Sequence, residues 1–213
     1  MKALLLDLDG TLTDPKLGIT NCIHYALERM GLTAPPADEL DWVIGPPLHQ
    51  SFRTLVGDDD AERALAIYRE RYGTLGMYEN ELYPGIVDMV AREAARGRRI
   101  YLATSKAHVY AKPILEHFGL ARYFAGIYGA ELDGTRVEKP DLLSYIAARE
   151  GIAHGSAIMV GDRRFDVEGA RAIGAVSVWA DWGYGADDER DSTGPDAICV
   201  EPSELAAILD RFA

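Results

Sequence analysis

The stretch LLLDLDGTLTD, residues 4–14, decides how the chain reads. Residues 3–6 are a short, unbroken apolar run, the mark of a strand buried on both faces. Asp7 and Asp9 follow at once, two residues apart, with Gly10 and Thr11 behind them. Carboxylates driven off the end of a buried strand are costly unless something compensates them. The compensation has to come from elsewhere in the chain or from solution.

Beyond residue 14 the periodicity changes. Residues 17–30 carry Ile19, Ile23, Ala26, Leu27 and Met30 at helical spacing, with Gly31 as the stop. Residues 37–43 and 48–56 read as short helices around the Gly45-Pro46-Pro47 break. Residues 58–72 read as a longer helix whose opening acids, Asp58 to Asp60, suit a helix N-terminus better than a metal. Further on, strands at 100–104, 124–128, 157–160, 176–179 and 197–200 alternate with helices at 84–95, 108–118, 141–150, 165–173 and 203–212. Pro113 falls inside one of these helices and is tolerable in a first turn or as a kink. Strands alternating with helices predict a parallel sheet wound on both sides. The expected fold is α/β: a doubly wound, Rossmann-like parallel-sheet core from residues 1–14 and 83–213, with an all-helical domain, 15–82, inserted after the first strand. Ligands of open parallel sheets sit at the carboxyl ends of the strands. An insertion leaving the first strand there would lie over the site as a lid.

Bulk composition excludes several classes. With 48% apolar and 26% charged residues the chain reads as a soluble globular protein. A net charge of −12 is the wrong sign for a nucleic-acid reader. The arginines at 92, 96, 98 and 99 read as a solvated helix end, favoured there by the helix dipole. Cys22 and Cys199 show no metal-ligand or disulfide-framework spacing, which fits a reducing cytoplasm. No run approaches the ~18 apolar residues of a membrane span, and Asp7 interrupts the first apolar run too early for a signal peptide. The expectation is a cytoplasmic monomer or homodimer with no nucleic-acid or membrane partner.

The polar residues at the predicted strand ends are Asp7 and Asp9, Thr104-Ser105, Lys139-Pro140, and Gly161-Asp162 with Asp166 four residues on. In a parallel sheet these ends converge. Clustered carboxylates repel one another unless a cation is present, and oxygen ligands with a phosphate favour magnesium. A hydroxyl and a lysine supply the donors and positive charge a phosphoryl group needs. Acids, Mg2+ and a phosphate clamp together point to phosphoryl transfer. There is no glycine-rich loop ending in Gly-Lys-Ser/Thr to cradle a nucleoside triphosphate.

Asp7-Leu8-Asp9-Gly10-Thr11-Leu12, Thr104, Lys139-Pro140 and Gly161-Asp162-Arg163-Arg164-Phe165-Asp166 resemble, in order, the four motifs of the haloacid dehalogenase-like superfamily. The helical insertion resembles its small α-helical cap. Ile44-Gly45-Pro46-Pro47-Leu48 and Trp182-Gly183-Tyr184-Gly185 are similar to stretches of the phosphoglycolate phosphatase-like branch. The resemblance implies a phosphatase acting on a small phosphorylated metabolite. Asp7 would be the nucleophile, forming an aspartyl-phosphate, and Asp9 the general acid and base. Magnesium would be held by the side chains of Asp7 and Asp162 and the backbone carbonyl of Asp9. Thr104, with Ser105 beside it, would bind a phosphate oxygen, and Lys139 would neutralise Asp7 and the phosphoryl group. Asp166 would orient metal waters or Lys139, and Gly10 would allow the sharp turn after the acids.

A dehalogenase has no need of the second acid, and a phosphonate hydrolase would need a cap lysine, which residues 17–105 lack. A phosphohexomutase shares all four motifs. A receiver-like signalling module also combines acids, a hydroxyl and Lys-Pro, but in about half the length and with its phosphoacceptor off the first strand. Phosphoglycolate and a 5′-nucleotide are both candidate substrates. His49 and Arg53, on one expected helix, are the candidates for holding the rest of the substrate.

Overall fold

The structure is a computed structural model and describes residues 1–212. In chain order the elements are β1 (Ala3–Leu6), β2 (Thr13–Asp14), α1 (Lys16–Arg29), α2 (Leu48–Val56), α3 (Asp58–Tyr72), β3 (Glu81–Leu82), α4 (Ile86–Ala95), β4 (Ile100–Ala107), α5 (His108–His117), β5 (Gly126–Ala130), α6 (Lys139–Glu150), β6 (Ala157–Gly161), α7 (Arg164–Ala172), β7 (Val176–Ala180), α8 (Asp187–Thr193), β8 (Ala197–Cys199) and α9 (Leu205–Asp210). The chain forms two compact units, Met1–Thr13 with Leu82–Ala213, and Asp14–Glu81.

The larger unit holds a six-stranded sheet of order β5-β4-β1-β6-β7-β8 in which every pairing is parallel. β1 is central. Leu4 lies opposite Ile100 on one side and Ile158 on the other. Odd-numbered residues of the strands (Ala3, Leu5, Tyr101, Ala103, Ala157, Met159) pack with Leu142, Leu143 and Ile146 of α6 and Ala170 of α7. Even-numbered residues (Leu4, Leu6, Ile100, Leu102, Ile158, Val160) point to the opposite face and are fully buried too. A sheet covered on both faces has no polar side, which is why its strands read as continuous apolar runs. The Rossmann-like, doubly wound core expected from the sequence is the observed architecture.

The smaller unit is built on α1, α2 and α3. Tyr68 and Tyr72 of α3 stack at 5.1 Å between centroids, and Phe52 of α2 meets Tyr68 edge-on at 5.7 Å. These aromatics are core residues of the helical unit. Asp58–Asp60 occupy the first turn of α3 behind Gly57, whose φ of +83° makes the sharp entry. Residues 37–43 form two 3-10 turns, Ala37–Glu39 and Asp41–Val43, in place of one helix.

The sequence reading leaves Arg98 in solvent, whereas the structure buries it completely against Glu93 at 2.7 Å. Arg98 also donates to the carbonyl of Lys2 at 3.2 Å, and Arg96 bridges Glu93 and Asp210. Glu93 lies on the inward face of α4, so its charge must be met inside the protein.

Candidate active site

The carboxyl end of β1 carries Asp7, that of β6 carries Asp162, and α7 and α6 bring Asp166 and Lys139. All four are at least 95% buried. Lys139 opens α6, and its Nζ lies 3.1 Å from Asp7 Oδ2 and 2.7 Å from Asp166 Oδ1, while donating to the Ala103 carbonyl at 2.9 Å. Burial alone would pull this ammonium toward its neutral form; Asp166 and Asp7 outweigh it, and its pKa is raised. Asp7, Asp162 and Asp166 each offer one carboxylate oxygen, all within 4.8 Å of one another.

Asp166 has two jobs. As the third residue of α7 its Oδ2 accepts the Arg163 N–H at 3.1 Å, closing a capping box. Its other oxygen holds Lys139. Burial pushes its carboxyl up to about 6, with Lys139 pulling the other way. Asp162 is pushed well above the usual carboxylate range, first by burial and then by Asp166 and Asp7.

Asp9 faces a different partner. Its Oδ2 lies 2.6 Å from Lys106 Nζ, and its buried Oδ1 has no hydrogen-bond partner among the described residues. Burial raises its carboxyl, Lys106 opposes that, and Asp7 adds to it. Lys106 is not among the strand-end residues to which the sequence points. The predicted strand end lies at Thr104-Ser105, whereas β4 runs on to Ala107. Strand alternation gives no signal for it, because the pairing of β4 with β5 shifts register between Thr104 and Ala107. Thr104 is buried and its Oγ1 accepts the Lys106 N–H at 3.2 Å, while Ser105 is half-buried. Gly10 has φ +75°, and a Cβ there would overlap the Asp162 carboxylate.

His49 and Arg53 lie on α2, in the helical unit. His49 pairs with Glu62 at 3.0 Å and Arg53 with Asp58, both on the surface between α2 and α3.

The residues fit a divalent cation. Four buried carboxylates (Asp7, Asp9, Asp162, Asp166) face two ammonium groups (Lys106, Lys139), leaving two negative charges to be met when all are ionised. An all-oxygen donor set matches magnesium.

Ligands of open parallel sheets bind at the carboxyl ends of the strands, which is where these acids and Lys139 gather. The sequence profile of haloacid dehalogenase-like hydrolases matches residues 4–180, and the chain belongs to that family. Within the family it is a phosphatase, in keeping with relatives named 5′-nucleotidase and phosphoglycolate phosphatase and a structural neighbour named a predicted phosphatase. It is 40% identical to a 5′-nucleotidase of Pseudomonas aeruginosa over 97% of this chain and 95% of that one. It is 38% identical to the tyrosine-protein kinase PtkA of Mycobacterium tuberculosis over 92% of this chain and 67% of the relative. It is 28% identical to the phosphoglycolate phosphatase of Escherichia coli over 98% and 92%. Among solved structures, a predicted phosphatase from Clostridium acetobutylicum superposes with a TM-score of 0.93 at 36% identity, covering 98% of each chain. No helix among the described residues is long and apolar enough to cross a membrane.

Proposed function

We propose that the chain is a magnesium-dependent phosphomonoesterase that works through an aspartyl-phosphate on Asp7. The observation that carries this reading is the unequal company of the two acids. Asp7 shares Lys139 with Asp166 and lies beside Asp162, whereas Asp9 stands apart from that cluster with Lys106. Paired carboxylates in unlike surroundings take unlike roles.

Lys139 sets a positive charge 3.1 Å from Asp7 Oδ2, and Asp7 attacks phosphorus in line. Asp9, whose buried carboxyl is raised, gives its proton to the leaving alkoxide and then takes one from the water that cleaves the acyl phosphate. Thr104 and Lys139 hold phosphoryl oxygens. Asp7, Asp162, Asp166 and the Asp9 carbonyl would hold the cation or its waters; when bound it neutralises charge on the phosphoryl group. The substrate class we favour is a 5′-nucleotide, because the 5′-nucleotidase relative matches more strongly than the phosphoglycolate phosphatase. His49 and Arg53 remain proposed contacts for the rest of that substrate. We further propose a cytoplasmic site of action, with which two buried cysteines that are not joined as a disulfide, Cys22 and Cys199, accord.

The test is p-nitrophenyl phosphate hydrolysis with and without Mg2+, followed by nucleoside monophosphates, phosphoglycolate and sugar phosphates. Absence of magnesium-dependent phosphate release by the wild type, or release unchanged in Asp7→Asn, would sink the reading. A phosphohexomutase would isomerise its sugar phosphate without releasing phosphate. The relative named as a tyrosine-protein kinase supports a second reading, in which Asp7 hands its phosphoryl group to a tyrosine hydroxyl. Phosphotyrosine formed on added protein from ATP, and lost in Asp7→Asn, is the result that would favour it.

A further inference from the structure

Trp182-Gly183-Tyr184-Gly185 follows β7, and no step of the reaction above uses it. The loop lies against Asp162. Oδ2 of Asp162 accepts the backbone N–H of Tyr184 at 2.8 Å, and Oδ1 accepts the hydroxyl of Thr11 at 3.2 Å. The two donors come from separate loops, and Trp182 fastens these together: its Nε1–H donates to the Thr11 carbonyl at 3.0 Å. The Trp182 ring also meets Tyr83 edge-on, at 6.5 Å between centroids. The carboxylate is thus held from two sides.

The glycines explain the closeness of the fit. A Cβ on Gly183 would overlap Asp162 Cβ and crowd the Gly10 carbonyl; one on Gly185 would overlap the Asp162 carbonyl and the Trp179 ring. Neither glycine has a positive φ. Backbone freedom is therefore not what requires glycine here. Close approach to Asp162 is.

We propose that Trp182–Gly185 is a positioning clamp that fixes the plane of the Asp162 carboxylate toward Asp7 and Asp166, and so sets how tightly the acidic site holds a divalent cation. The inference rests on the reading of that site as a cation site. An unclamped carboxylate would have to give up rotamer freedom when the cation arrives. Partners that orient a metal ligand are worth roughly 10–100-fold in metal affinity.

The test is cation binding itself. Metal-stripped wild type, Trp182→Phe, Thr11→Val, Thr11→Ser and Asp162→Asn are titrated with Mn2+, the free ion followed by electron paramagnetic resonance, and with Mg2+ by calorimetry. Thermal melts of the stripped proteins check folding. Trp182→Phe keeps an aromatic ring against Tyr83 and loses the indole N–H together with one ring of the bicycle. It should weaken cation binding roughly tenfold or more. Thr11→Val should do the same, and Thr11→Ser should restore affinity. Gly183→Ala should weaken binding further, and if it does not fold the other variants decide. Wild-type affinity in both folded Trp182→Phe and Thr11→Val would overturn the clamp while leaving the cation site intact. No cation bound by wild type would overturn the site and the clamp together.

Discussion

Lys106 lies 2.6 Å from the acid that must deliver a proton. That placement has a sign. The ammonium pulls the Asp9 carboxyl down against burial and Asp7, so removing it lets Asp9 keep its proton to higher pH. In Lys106→Gln the alkaline limb of the kcat/KM profile should move to higher pH; a limb that stays put would mean that Asp9 is not the acid. Asp7→Asn and Asp9→Asn should each cut turnover by about 10²-fold or more, but only Asp7→Asn should abolish the covalent phosphoenzyme, read by acid-quenched radiolabelling. Asp7, Asp9, Thr104, Lys139, Asp162 and Asp166 were legible because each stands at the end of an apolar run or the start of a helix. Lys106 was not, because β4 continues past the point where the apolar run stops, and a lysine there looks like the first residue of a loop. Arg98 escaped for the opposite reason: its buried partner, Glu93, lies on a helix whose inward face a sequence gives no means of pairing with it.

Element boundaries followed local chemistry closely. Residues 48–56 and 58–72 are helices as expected, because Pro47 and Gly57 punctuate them. β5 begins two residues later than the apolar run suggests, and α8 (Asp187–Thr193) was not foreseen, since it has no buried residue to leave a periodic mark. Pro113 lies in the middle of α5, which continues through it to His117. In α1, Gly18 shows how packing overrides propensity. Alanine would favour the helix by about 1 kcal/mol, yet a Cβ at position 18 would overlap the carbonyl of Gly76. Overpacking costs typically about 1–3 kcal/mol, so Gly18→Ala should destabilise the helical unit, seen as a lower urea midpoint with an unchanged slope.

At the scale of the whole molecule, buried acids govern the response to pH. Asp166 is raised to about 6, and Asp9 and Asp162 are raised as well. A carboxyl raised in the folded state binds its proton more tightly there than when unfolded, so stability is gained as pH falls through the folded pKa and is complete below the unfolded one. The cation-free protein should therefore melt at a higher temperature at pH 5 than at pH 7.5, and saturating Mg2+ should raise the pH 7.5 value most, because it stabilises the ionised acids. A melting temperature that falls steadily from pH 7.5 to 5 without metal would contradict this. The order of strands carries a further consequence, for synthesis. β1 leaves the ribosome before either neighbour exists: Leu4 must wait for Ile100 on one flank and Ile158 on the other. Meanwhile residues 14–81 emerge complete, with their own core. The nascent chain thus carries an unpaired, fully apolar strand until β4 has emerged, and β1 is where a holdase chaperone would bind.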